Sequence, residues 1–342
     1  MTTPPPSDGT RRTRNPFCHS DRTLRETTQP LRPHEDDDDD SYIVDIDHTG
    51  ECYAEFERAV TVRSVRRQGG LVLAVGEKGW GKTTLLYKCA KGVKERAESA
   101  GCLPLIIDLE GQKRNTERLT VAARARTLYR SVINSLRDRP LLKPEELDEL
   151  LAQVIPSDSA LDQQLPPDAY LRLSQLLGRL AEQRPERRPA DVVLIIVLPP
   201  FQEVPTEIET YQQQLAPRLL FLCETQYTPA RLTGHETTIL QLGKIDQDDV
   251  WRVAEQRLSR NCAPDCPPYT TRDDVVDYFK GWPLGFAAAQ HVLLRAFEDA
   301  LADQLSPDPL SPDQPAPDRL GFRHFARALQ CIVSPEMIGR TP

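Results

Sequence analysis

Residues Leu71 to Ala90, LVLAVGEKGWGKTTLLYKCA, decide how the rest of the chain is read. Leu71 to Val75 form a short apolar run suited to a strand buried on both faces of a parallel sheet. Gly76-Glu77-Lys78-Gly79-Trp80-Gly81-Lys82-Thr83 then fits the spacing G-x-x-x-x-G-K-[ST] of a phosphate-binding loop, and helix formers without proline come after it. The glycines let the backbone turn tightly and aim N–H groups at phosphate oxygens, while the start of the next helix adds free donors and a positive dipole end. Lys82 is placed to reach β- and γ-phosphates, and the Thr83 hydroxyl to take one position on Mg²⁺, with Thr84 as a further phosphate donor. Gly76, Glu77, Lys78, Gly79, Trp80, Gly81, Lys82, Thr83 and Thr84 are thus the candidate nucleotide-binding residues, and ATP and Mg²⁺ the expected cofactors.

Before this strand, Tyr42 to Val65 reads as an extended segment and a helix leading into it. Further buried strands are expected at Pro104–Leu109, Val192–Leu198, Leu219–Cys223 and Thr237–Leu240. Helical patterns lie between them at Leu119–Leu136, Pro144–Val154 and Ala169–Gln183. Alternating buried strands and helices predict an α/β fold with a parallel five-stranded sheet covered on both faces. Beyond Gly243 the pattern is helical only. Asp246 with Asp249, and Thr271, mark helix N-termini, and Pro283 marks the start of a third helix. The expected domains are a Pro-rich, acidic, disordered tail (1–41), an ATP-binding α/β domain (42–243), a small all-α lid (244–302), a Pro/Asp-rich linker (303–318) and a short C-terminal helix and tail (319–342).

The 342 residues carry a formal charge of −8, but Glu35 and Asp36 to Asp40 supply six of the negative charges, so the rest is close to neutral. Without a basic footprint, nucleic acid is not expected as a partner. The longest apolar run, Val192 to Leu198, is too short to span a bilayer, and no apolar segment succeeds the N-terminal Arg pair, so a cytoplasmic protein without membrane association is expected. Eight scattered cysteines predict reduced thiols. Cys262 and Cys266 have a spacing open to zinc, but no second Cys/His pair lies close in sequence.

This order of parts, with Gly281-Trp282-Pro283-Leu284 in the helical region, resembles the AAA/STAND-type P-loop NTPases, including ORC-like and NB-ARC-like ATPase modules, whose lid carries a G-x-P motif. The resemblance implies an ASCE-type sheet in the order 5-1-4-3-2, adenine held between core and lid, and Pro283 near the base. It also implies an acid at the end of the third strand, where this chain has Leu198-Pro199-Pro200. The first acid beyond is Glu203, and the second strand ends in Asp108-Leu109-Glu110, so Glu203 and Asp108 are the candidate catalytic carboxylates, with Glu110 beside them. Glu224 or Thr225 stands where the family has a polar sensor of the γ-phosphate, and Arg252 and Arg257 are the candidate lid arginines. The function implied is that of an ATP-binding regulatory switch, cycling between ATP and ADP with weak or no hydrolysis and docking a protein partner or a second copy of itself. The alternative is an active ATP hydrolase that remodels or moves a macromolecule. A small-molecule kinase is disfavoured by the helical lid, and residues 300 to 342 are too short and acidic for a basic DNA-binding extension.

Overall fold

The structure, a computed structural model, describes residues 12, 14–18, 30–46, 48–139, 142–154, 164–182, 191–227, 237–261, 266–280, 285–305 and 318–333. Two helices, α1 (Thr49–Ala59) and α2 (Val62–Gln68), lead into β1 (Gly70–Val75), which is succeeded by α3 (Lys82–Ser99) and β2 (Leu103–Asp108). Helices α4 (Val121–Arg137), α5 (Pro144–Val154) and α6 (Ala169–Glu182) precede β3 (Val192–Val197), and α7 (Val204–Gln213) separates it from β4 (Leu219–Thr225) and β5 (Thr237–Gln241). The five strands are all parallel, in the order β2-β3-β4-β1-β5, so the sheet order implied by the resemblance is the one observed.

Every residue of β1 and β3 is buried, as expected of central strands whose two faces both carry helices. Alternation along β1 divides the core into two layers. Leu71, Leu73 and Val75 pack with Tyr129, Tyr170 and Phe221 beneath α4 to α7, whereas Val72 and Ala74 pack with Phe56, Leu85 and Leu86 beneath α1 to α3. No helix among the described residues is long and apolar enough to cross a membrane.

A third apolar cluster is built by α8 (Gln247–Asn261), α9 (Arg272–Phe279), α10 (Phe286–Leu305) and α11 (Phe322–Val333), with Val253, Val292, Phe297 and Phe325 at its centre. The expected caps are present: Asp246 and Asp249 exchange backbone-to-carboxylate bonds of 3.2 and 2.9 Å, and Thr271 forms a capping box with Asp274. The C-terminal helix is part of this cluster. Leu320 and Phe325 are buried in its core, and Arg319 pairs with Asp274 at 2.6 Å.

The described residues of the N-terminal stretch depart from the expectation of a disordered tail through residue 41. Arg12 donates to the carbonyls of Cys266 (3.0 Å) and Leu258 (2.9 Å), Asn15 donates to that of Leu294 (2.7 Å), and the Phe17 ring lies 5.3 Å from that of Phe297. Nor is the acidic run merely solvated. Asp37 to Asp40 make a helical turn, Asp37 and Asp40 pair with Lys91 of α3 at 2.9 and 3.4 Å, and Asp39 is buried and accepts from the Arg32 backbone N–H. The physical reason is long-range: the lid helices leave apolar surface and unpaired carbonyls that a short segment with one phenylalanine and two polar donors can cover. The thiols divide as well, since Cys18, Cys52, Cys89, Cys102 and Cys223 are free whereas Cys266 is in a disulfide, against the expectation of reduced thiols.

Because Phe17 is 2% exposed within the lid core, Phe17→Ala is expected to lower unfolding free energy by about 3 kcal/mol in urea titrations. A loss below about 0.5 kcal/mol, typical of surface changes, would mean that this segment does not dock.

Candidate functional site

The glycine loop leaves β1 at Val75 and returns as α3. Gly79 and Gly81 sit at φ +86° and +80°, in the left-handed region that favours glycine. Lys82 is buried, and its ammonium donates to the carbonyls of Gly76 and Glu77 at 2.8 Å each. Burial holds its pKa below the usual lysine value, with Glu224 acting in the opposite direction. The Thr83 hydroxyl donates to Glu224 Oε2 at 2.6 Å.

Over this loop opens a cavity of about 840 Å³. Lys78, Gly79, Gly81, Lys82, Thr83 and Thr84 line it, whereas the loop residues Gly76, Glu77 and Trp80 are not part of its wall. Its apolar side is the Tyr42–Ile46 segment, and its roof is the start of α10, from Gly285 to Gln290. Pro283 and Trp282 lie outside the described residues, as does Cys262.

The two catalytic candidates do not line the cavity. Asp108 is held at the end of β2: its Oδ2 accepts from Arg32 at 2.7 Å and Tyr87 at 2.9 Å, and its Oδ1 from the Glu110 backbone N–H at 2.9 Å. Glu203 is exposed at the start of α7. A buried ion pair fixes the turn that carries it. Arg124 bonds Glu207 Oε1 at 2.7 Å and the Pro200 carbonyl at 2.6 Å, and Glu207 Oε2 accepts from the backbones of Gln202 (2.5 Å) and Glu203 (3.0 Å). Burial raises the Glu207 carboxyl pKa, with Arg124 opposing. Breaking such a pair leaves a buried charge uncompensated, so the turn has little freedom to swing Glu203 inward.

Acids that do line the cavity include Glu224, which bonds Thr83 of the loop, and Glu110. Glu224 lies beside Ala74 in the β4–β1 register, so the strand next to the phosphate loop delivers its carboxylate to Thr83. Glu110 lines the cavity, and burial, then Asp108 and Glu224, raise its pKa. Lys113, also on the wall, was not singled out from sequence, and a lysine in a short helical turn carries no distinguishing signal there. The Thr83 hydroxyl and the Glu224 carboxylate are hard oxygen donors of the kind Mg²⁺ takes, so the residues present fit that ion. His34, Glu35 and Asp108 also place ligand atoms within 4.8 Å of one another, but Arg32 already reaches both carboxylates, at 3.4 and 2.7 Å.

On the lid, Arg252 is exposed and lies 3.5 Å from Asp249. Arg257 does reach the cavity wall, yet it is buried against Tyr42, donating to its carbonyl at 2.6 Å and lying 4.4 Å from its ring centre. Burial lowers its pKa to about 10. Lid and loop touch directly: the Ala287 N–H donates to the Gly79 carbonyl at 3.4 Å, and a Cβ on Gly285 would come within 3.0 Å of the Lys78 carbonyl oxygen. Trp80 packs against both the α1–α3 layer and the lid cluster. His291 is half-buried, and burial lowers its pKa, consistent with a packed histidine.

With this architecture the fold is that of the AAA+ P-loop ATPases. The ORC2 protein of Aeropyrum pernix, solved in ADPNP–ADP complexes, superposes with a TM-score of 0.51 at 16% identity over 84% of this chain and 68% of that one. The ORC1 protein of the same organism, in complex with DNA, gives 0.47 at 15% identity over 84% and 66%, and C. elegans PCH-2 gives 0.42 at 12% identity over 84% and 68%. No protein-family model and no curated protein matches the chain.

Glu224→Gln keeps an oxygen near Thr83 but removes its charge. The gain in ATP affinity that Mg²⁺ confers is expected to fall about tenfold, measured by calorimetry with and without the ion. An undiminished gain would assign the metal-facing acid elsewhere.

Proposed function

We propose that this chain is an ATP-binding regulatory switch of the AAA/STAND type, in which residues 42–243 bind nucleotide, residues 244–302 act as the lid, and lid position governs docking of a protein partner or a second copy. The observation that carries this reading is the direct seam between phosphate loop and lid. Trp80, within the loop, packs on both core and lid, and α10 begins against the backbone of Lys78 and Gly79. A ligand shifts a conformational equilibrium only through contacts that differ between the states. The γ-phosphate distinguishes ATP from ADP, and Lys82, Thr83 and Glu224 are the groups nearest to where the loop would hold it. Pro283 remains the proposed neighbour of the base.

A second reading, an ATP hydrolase, is favoured by Glu110, a cavity-wall carboxylate with a raised pKa and hence a stronger base than an ordinary glutamate. The two differ in whether Mg²⁺-dependent turnover accompanies binding.

The seam provides the test. A Gly285→Val side chain would force the start of α10 off the loop, and ATP affinity is expected to fall at least about tenfold more than ADP affinity. Equal losses for both nucleotides, or none, would argue for a static nucleotide-binding scaffold.

A further inference from the structure

The geometry points to a second anion site, for a phosphoryl ligand carrying at least two negative charges, at the end of the sheet opposite the phosphate loop. Arg63, Arg66 and Arg67 of α2, Arg218 before β4 and Asp191 before β3 enclose a cavity of about 500 Å³. Six residues of β1 separate α2 from the glycine loop, a rise of about 20 Å, so this pocket is distinct from the nucleotide cavity.

Four guanidiniums meet one carboxylate in a chain that is acidic overall. Asp191 is bonded to Arg66 and Arg218 at 2.6 Å each, and these bonds hold its carboxyl below the usual carboxylate range although burial, the largest influence, acts the other way. Arg63 and Arg67 have no ion pair among the described residues, so their forks remain available beside a centre already fixed by Asp191. Gathering like charges is unfavourable, and an anion entering the pocket relieves it.

The pocket is a built one. Arg218 adopts φ +72°, a left-handed backbone conformation unfavourable for a non-glycine residue. Its backbone N–H is anchored to the Val65 carbonyl of α2 at 2.8 Å, and its guanidinium lies against Gly178, where a Cβ would come within 3.4 Å. Three separate stretches of chain are thereby tied around Asp191.

Phosphoryl groups fit this lining better than an acidic peptide does. All five lining side chains are charged and none is apolar, so there is no pocket for the side-chain anchors that give peptides affinity. Arginine forks match phosphoryl oxygens bidentately, and the surplus positive charge calls for a multivalent anion. Such an anion is either a free polyphosphate or the backbone of a nucleic acid.

The test uses the full chain carrying Lys82→Ala, which removes the charged phosphate contact of the loop. Tripolyphosphate, a single-stranded oligonucleotide of about 12 nucleotides and polyglutamate are titrated with and without Arg63→Gln/Arg67→Gln. Both arginines are exposed, so melting should be unchanged, and Arg63→Lys/Arg67→Lys separates charge from fork geometry by restoring only part of the affinity. Tripolyphosphate is expected to bind and to weaken at least about tenfold in the Gln pair. If the oligonucleotide competes with it, with a salt slope reduced by about 1.4 in the Gln pair, the source is a nucleic-acid backbone; without competition it is a small free anion. No tripolyphosphate binding, binding indifferent to the substitutions, or equally tight polyglutamate binding would overturn the assignment.

Discussion

The complete burial of β1 is the constraint on which the other parts depend. Six consecutive residues with no exposed face require a parallel neighbour on each side and helices above and below. Once β4 and β5 flank it, the glycine loop at its end lies beside the last residues of β4, and α3 is fixed by Leu85 and Leu86 in the core below. The position of the Lys82 ammonium and the Thr83 hydroxyl is a consequence of that packing. The same strand sets the opposite pole, because α2, with its arginines, ends directly before Gly70.

Acid placement then becomes a question of which strand end is free to face the loop. After β3 the chain passes through two prolines into a turn whose carbonyl and amides are engaged by Arg124 and Glu207. Those groups are deeply buried and bonded to each other, so the segment is a structural support and its exposed Glu203 points elsewhere. Asp108 is similarly occupied by Arg32 and Tyr87. The carboxylate reaching the loop comes instead from β4, and the site departs from the implied pattern through local hydrogen bonding rather than through a different sheet.

The strands and the glycine loop were legible because their signals are local. Apolar runs of five to seven residues and a fixed motif identify themselves, and the resemblance supplied the strand order that periodicity alone could not. Features missed from sequence depend on contacts between distant segments. Arg12, Asn15 and Phe17 have no apolar periodicity, and only the lid surface they meet makes them ordered. Glu224 was noted as a polar strand end, but its approach to Thr83 depends on the β4–β1 register. The arginine pocket combines Arg63, Arg66 and Arg67 with Asp191 and Arg218, which are near neighbours only after folding, so a search for basic runs passes over it.

In the proposed switch the lid responds to what the phosphate loop holds. Hydrogen exchange of the α10 backbone, Phe286 to Leu305, measured with saturating ADP and with a non-hydrolysable ATP analogue, reads out this response. A lid coupled to the loop predicts different protection of the first turns of α10 in the two nucleotides. Identical protection along the helix, with calorimetry confirming that both nucleotides are bound, would contradict it.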